Sequence, residues 1–240
     1  MNFKKINLLL FYIFLFVITF SQEPVKILYL IPGQGSDYRI YKYFNFSNFD
    51  TVHIHYIVPD KNETMKSYAR KLAKQIDTSK AFSIIGVSFG GMTAVEMAEF
   101  LNPENTIIIS SAKNRNELPF RYRFMKTIPI NKLFGGRFLK ITAPLAQIIV
   151  EPDSKHERET CKAMLKAKNK KFMRRSVNMI VNWERENNKA KIIHIHGDKD
   201  HTIPLRNIRN PDYVVKNGSH MMTLTKGNEL RNIVILYLNR

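Results

Sequence analysis

Ser88 stands in Gly86-Val87-Ser88-Phe89-Gly90, after the apolar run "AFSIIGV" and before "FGGMTAVEMAEFL". A serine hydroxyl alone is a poor nucleophile. It attacks a carbonyl only when a base takes its proton, an acid steadies that base, and N–H groups meet the charge that forms on oxygen. A serine on a sharp turn between a strand and a helix needs small residues two before and two after it, and the pattern supplies Gly86 and Gly90. The hydroxyl then sits above the sheet, near the positive end of the following helix.

His220, in "NGSHMM" between the last apolar β-like run and the last helical run, is the candidate base, with His201 second. His53, His55, His194 and His196 alternate within strand-like runs and read as packed or solvent-facing side chains; His156 lies in a basic stretch. The acid comes from "HGDKDHTIP": Asp200 is favoured because it lies deeper in the loop, just before Thr202-Ile203-Pro204, with Asp198 read as a turn cap. For the anion hole, Phe89 offers the amide after the nucleophile. "PGQGSD" after the first strand offers a second, assigned to Gln34 with Gly35 as fallback. That loop lacks the third glycine of a dinucleotide fingerprint and the Gly-Lys-Ser/Thr of a phosphate loop, which excludes a nucleotide reading.

Short apolar or β-branched runs at 25–31, 51–57, 81–87, 105–110, 191–196 and 212–216 predict six strands. Between most of them lie helical patterns, such as Met65, Tyr68, Ala69, Leu72, Ala73 and Ile76 on one face, or Leu230, Ile233, Val234 and Tyr237 near the end. This alternation predicts an α/β chain with a mostly parallel six-stranded sheet covered by helices on both faces. The rhythm breaks over 113–189, too long for a strand–helix connection. Phe172, Ser176, Met179, Ile180 and Trp183 share a helical face there. The segment is expected to be a helical lid over the strand C-terminal edge, inserted into a core of 22–112 and 190–240. Phe120, Tyr122, Phe124, Met125, Phe134 and Phe138 are expected either to line an acyl pocket or to form the lid's own core.

The 240 residues carry 38 Lys and Arg against 20 Asp and Glu, a net charge of +18. Of these, 19 cationic and 7 anionic residues fall in 113–189. "KAKNKKFMRR" (166–175) suits either a solvated helix face or contact with an anionic membrane surface. The single cysteine, Cys161, excludes an intrachain disulfide and a cysteine-rich zinc site, and reads as a half-buried helix residue. At the start, Lys4 and Lys5 precede a 15-residue, largely apolar run from Ile6 to Phe20, then Ser21 and Gln22. That run is shorter than the ~20 residues that span a bilayer comfortably. It reads as a secretory signal over 1–21 cut after Ser21, or else as an uncleaved anchor, and either places the domain outside the cytosol. Nucleic acid is therefore not the expected partner.

The chain resembles the α/β-hydrolase superfamily over roughly 25–112 and 190–240, through "GVSFGG", "HGDKDHTIP" and "GSHMM" in that order. Pro32-Gly33 replaces the His-Gly often found after the first strand. No room exists between Ser21 and Val25 for the two antiparallel strands that often open the fold. The resemblance implies a minimal six-stranded version. It implies a catalytic triad of Ser88, Asp200 and His220 acting on a small-molecule or lipid ester, without metal or cofactor. Haloperoxidases, thioesterases and lyases of this superfamily reuse the same triad, and a non-catalytic envelope binding module with a basic lid is the alternative from another class.

Overall fold

A computed structural model describes residues 26–127 and 155–239. The expected leader and membrane segment, Phe134 and Phe138 lie outside the described residues. The six strands are β1 (Lys26–Ile31), β2 (Phe49–His53), β3 (Phe82–Val87), β4 (Thr106–Ile109), β5 (Ile193–Gly197) and β6 (Tyr213–Val215). All neighbours pair in parallel, in the order β2-β1-β3-β4-β5-β6. The chain builds β1 and β2 outward in one direction, returns across β1 to β3, and then adds strands only in the other direction. The order therefore reverses between β1 and β3, where parallel α/β sheets open a crevice at their carboxyl ends.

Among the described residues the helices are α1 (Met65–Leu72), α2 (Phe89–Leu101), α3 (Phe120–Thr127), α4 (Lys155–Lys166), α5 (Lys170–Val181), α6 (Met222–Thr225) and α7 (Gly227–Leu238). Thr64 caps α1 by accepting from the Ser67 amide, and Asn169 caps α5 by accepting from Lys171 and Phe172. Alternation along the strands feeds two cores. Ile27, Tyr29, Ile31, Ile84 and Ile108 face one layer, which takes Met65, Tyr68 and Leu72 of α1, Phe89, Met92 and Val95 of α2, and Phe172, Met179 and Ile180 of α5. Leu28, Leu30, Ile85, Val87, Ile107 and Ile109 face the other, with Cys161 and Met164 of α4 and Leu230, Ile233 and Val234 of α7. Both sheet faces are thus dry, as an all-parallel sheet requires.

The structure moves some expected boundaries. β2 runs over 49–53 rather than 51–57. It is an edge strand, and past His53 only the Ile54 amide still bonds to β1, at Leu30. Tyr56 has left the sheet, and its hydroxyl donates to the Pro32 carbonyl at 2.5 Å.

A buried ion pair ties the chain after α5 to the core. Glu96 of α2 accepts from Trp183 Nε1 and from Arg185 Nε and Nη2, each at 2.8 Å. Arg185 Nη1 also lies 3.2 Å from Glu99. Removing one partner leaves a buried charge uncompensated, so Arg185→Ala is expected to cost about 3 kcal/mol, or roughly 6–12 °C in Tm, in a thermal melt.

Candidate active site

Ser88 is held at the β3–α2 corner with φ 53° and ψ −120°, a conformation that L-residues adopt only when their surroundings force it. Here packing forces it. A Cβ on Gly86 would strike the Gly90 carbonyl, and one on Gly90 would strike the carbonyls of Ile31 and Pro32. The corner is therefore pressed against the end of β1 with no atom to spare. Ser111 Oγ, just past the end of β4, donates to the Ser88 carbonyl at 2.7 Å and braces it.

The acid and base loops meet through another close approach. A Cβ on Gly197 would strike the Gly218 carbonyl. Lys199 N donates to that same carbonyl at 2.9 Å, and Asp198 N to Val215 O at 3.2 Å. This contact lays "NGSH" along "HGDKD" and brings three distant side chains together. His220 Nε2 lies 3.0 Å from Ser88 Oγ, and His220 Nδ1 lies 2.8 Å from Asp200 Oδ2. Asp200 Oδ1 accepts from the amides of Thr202 and Ile203, both at 2.8 Å. Asp198 and His201, the alternative acid and base, are exposed.

The loop after β1 passes close over Ser88: a Cβ on Gly33 would sit 3.5 Å from that of Ser88. Ser36 N and Oγ both donate to the Gly33 carbonyl, which folds the loop tightly. Gln34 reaches the other way, its Nε2 donating to Ser176 Oγ at 2.7 Å and to Met173 O at 3.1 Å on α5. Phe89 begins α2, so its amide has no acceptor within the helix. Beside Ser88 opens a cavity of about 240 Å³. Its described lining includes Gln34, Met92, Tyr122, Met164, Met173 and Met221, an apolar wall with few polar groups.

No protein-family model matches the chain, and no curated protein matches it in sequence. Solved structures match it in shape. A hydrolase from Pseudomonas aeruginosa PA01 superposes with TM-score 0.69 at 14% identity, covering 90% of this chain and 91% of that one. A thermophilic esterase from Thermogutta terrifontis gives 0.65 at 13%, covering 90% of each chain. A bromoperoxidase from Bacillus anthracis gives 0.61 at 15%, covering 90% and 92%. The chain has the α/β-hydrolase fold.

Within this α/β-hydrolase fold, Ser88 and the Gly33–Gln34 loop flank the point where the strand order reverses. The insertion between β4 and β5 contributes the cavity residues Tyr122, Cys161, Met164, Leu165, Met173 and Ile180. Two expectations for that segment need correction. Phe120 and Phe124 neither line the cavity nor form an inner core; they are 69% and 41% exposed. They lie two residues on either side of Tyr122, so when α3 turns Tyr122 inward it turns them outward. Cys161 is buried rather than half-buried, because the α4 face that carries it and Met164 packs into the second core. Of the basic run, Lys166, Lys170, Lys171 and Arg174 are solvated. Lys168 instead lies over the Tyr56 and Phe172 rings, and Arg175 donates to the Pro59 carbonyl. His194 and His196 are fully buried, the packed alternative of the two expected for them.

Sequence reasoning missed Ser111 and Tyr56, which brace the corner and the loop; an isolated Ser or Tyr carries no spacing signal. Among the described residues, no cluster of three or more His, Cys, Asp or Glu side chains is placed to hold a metal ion.

Burial alone would raise the Asp200 carboxyl. The charge and hydrogen bond of His220, together with His196 and the Ile203 amide, outweigh burial and hold it below the usual carboxylate range. A depressed carboxylate stabilises the fold above its unfolded value of about 3.9, and that contribution is lost as pH falls through the folded value. In urea melts, the stability gap between wild type and Asp200→Asn is therefore expected to narrow as pH is lowered below about 4.

Proposed function

We propose that the chain is an exported serine hydrolase that cleaves ester bonds through an acyl-enzyme. The observation that carries this reading is the unbroken hydrogen-bonded line from Ser88 Oγ through His220 to Asp200, rising from a strained corner into an apolar cavity.

In this reading Asp200 accepts the Nδ1 hydrogen of His220, which leaves Nε2 bare and facing the serine. Ser88 Oγ attacks the ester carbonyl carbon and passes its proton to His220 Nε2. The carbonyl oxygen takes up the negative charge and accepts hydrogen bonds from the Phe89 and Gln34 amides. Collapse breaks the bond to the alkoxy oxygen, which leaves as the alcohol with the proton from His220. Water then attacks the acyl-enzyme and gives a proton to His220, which returns it to Ser88 Oγ as the acid leaves. The methionine-rich wall suits the apolar acyl part of a small-molecule or lipid ester. The solvated cations of α4 and α5 suit an anionic membrane surface. Esterases among the structural neighbours support the same chemistry at the level of fold.

Among the described residues no helix is long and apolar enough to cross a membrane. The export proposal rests on the apolar run 6–20, and an intact mass starting at Gln22 for protein recovered outside the cytosol is the expected result.

A fluorophosphonate probe is expected to label wild type and to leave Ser88→Ala unlabelled; folded wild type that resists labelling points to the binding module instead. Labelling without turnover of any ester in a short- to long-chain panel points to the other chemistries of the fold. His220→Ala is expected to lower kcat by about 10⁴-fold or more. Because His220 must be neutral to accept the proton, kcat/KM should fall on the acid side.

The Gln34 side chain ties the anion-hole loop to α5 while its amide remains available. Gln34→Ala and Ser176→Ala are each expected to lower kcat by about tenfold with little change in KM. The double variant should lose no more than the worse single one, as steady-state kinetics would show.

A further inference from the structure

β5 carries two histidines that the acyl-transfer steps leave unused. His194 and His196 lie two apart on one face of the strand, both completely buried. His196 Nε2 is 2.7 Å from the Ile203 carbonyl and 3.5 Å from Asp200 Oδ2, the same oxygen that binds His220. On its other side, His196 Nδ1 is 3.1 Å from His194 Nε2, with the rings edge to face. His194 Nδ1 points at Glu117, 4.0 Å away. That carboxylate is pinned by the Lys113 and Arg209 amides at 2.6 and 3.1 Å.

One of these contacts fixes a hydrogen. A carbonyl only accepts, so His196 Nε2 must carry a hydrogen toward Ile203. A neutral imidazole has one N–H, so His196 Nδ1 is left bare, facing His194 Nε2. Burial pushes both rings below the usual histidine range and keeps them neutral, although Asp200 pulls His196 the other way. The groups facing the pair are Asp200, His220, Glu117 and Lys113.

We propose that His196 is a positioning residue for the acid–base pair: its Nε2–H, oriented by His194, pins the Ile203 carbonyl and with it the 200–203 turn, and faces Asp200 Oδ2 as a second positive hydrogen beside that of His220. This rests on the acyl-transfer reading above. The Ile203 amide donates to Asp200 while the Ile203 carbonyl accepts from His196, so one residue locks the carboxylate from both sides. The His196 N–H edge, 3.5 Å from Oδ2, adds to the positive field that His220 supplies by its hydrogen bond. Taking His196 away leaves the carboxylate charge to His220 alone and favours the protonated form of the base.

The test compares His196→Phe and His196→Gln in the full chain, using a p-nitrophenyl ester and rates normalised to sites titrated by a fluorophosphonate. Gln keeps an N–H near the Nε2 position; Phe does not. Expected for His196→Phe is a kcat lower by about tenfold with KM nearly unchanged, and an acid limb of kcat/KM displaced to higher pH. His196→Gln should recover most of both. Should the Phe variant fail to fold, His196→Asn asks the same question, since its shorter amide does not reach the Ile203 carbonyl and the defect should persist. A folded Phe or Asn variant with wild-type kcat per titrated site and an unmoved acid limb overturns the proposal, whatever its melting temperature. If wild type itself neither labels nor turns over an ester, the acyl-transfer reading falls and takes this proposal with it. An active wild type with an indifferent variant removes this proposal alone.

Discussion

The contact between the Ser88 corner and the end of β1 is the constraint on which the rest of the structure depends. Gly90 lies against the carbonyls of Ile31 and Pro32, and Gly86 against the carbonyl of Gly90. Any side chain at either position would push α2 away from β1. That separation would relax the Ser88 backbone, lower its hydroxyl toward the sheet, and part it from the Gly33 loop. Such strain costs of order 1–3 kcal/mol and persists only where neighbours over-determine it. Here the neighbours are the two sheet cores, the Ser111 hydroxyl and the first turn of α2.

The meeting of His220 with Asp200 follows from a second backbone contact of the same kind. β5 and β6 are adjacent and parallel, so the loops leaving them start side by side. Gly197 and Gly218 let those loops touch through their backbones. Asp200 is then held by two amides of its own turn, and His220 only has to reach one oxygen. The geometry of the Asp200–His220 pair is thus largely backbone geometry, which tolerates change in the exposed residues around it, such as Asp198 and His201.

The fold was legible because both of its periodicities are clean. Runs such as "KILYLI" and "FSIIGV" are apolar throughout, as strands buried on two faces must be, and Leu230, Ile233 and Val234 repeat at helical spacing. The serine corner was legible because its steric demand is written as glycine. Asp200 and His220 were legible from their places after the fifth and sixth strands. The bracing residues were not, since the partners of Tyr56, Ser111 and Gln34 are backbone carbonyls or side chains up to 142 residues away, which spacing along the chain does not encode. The histidines of β5 were read as ordinary strand residues for the same reason. Alternation shows that they share a face, but not that the face abuts a buried carboxylate. α3 misled because its aromatic content suggested a pocket wall or an inner core of its own, while its angular spacing sends Phe120 and Phe124 away from Tyr122.

A lid that swings as one body does not fit the packing of α5. Phe172, Met179 and Ile180 of this helix, with Trp183 just beyond it, lie in the same core as Phe89 and Met92 of α2. Phe172 also packs against the Tyr56 and Phe89 rings, with centroids 4.9 and 6.2 Å apart. Exposing four such side chains would cost on the order of 8 kcal/mol at about 2 kcal/mol each, comparable with the whole stability of a typical domain. α5 is therefore a fixed wall of the site, and Gln34 bonds to it as to a structural element. The Gly33–Gln34 loop beside Ser88 is thereby held between the serine corner and α5.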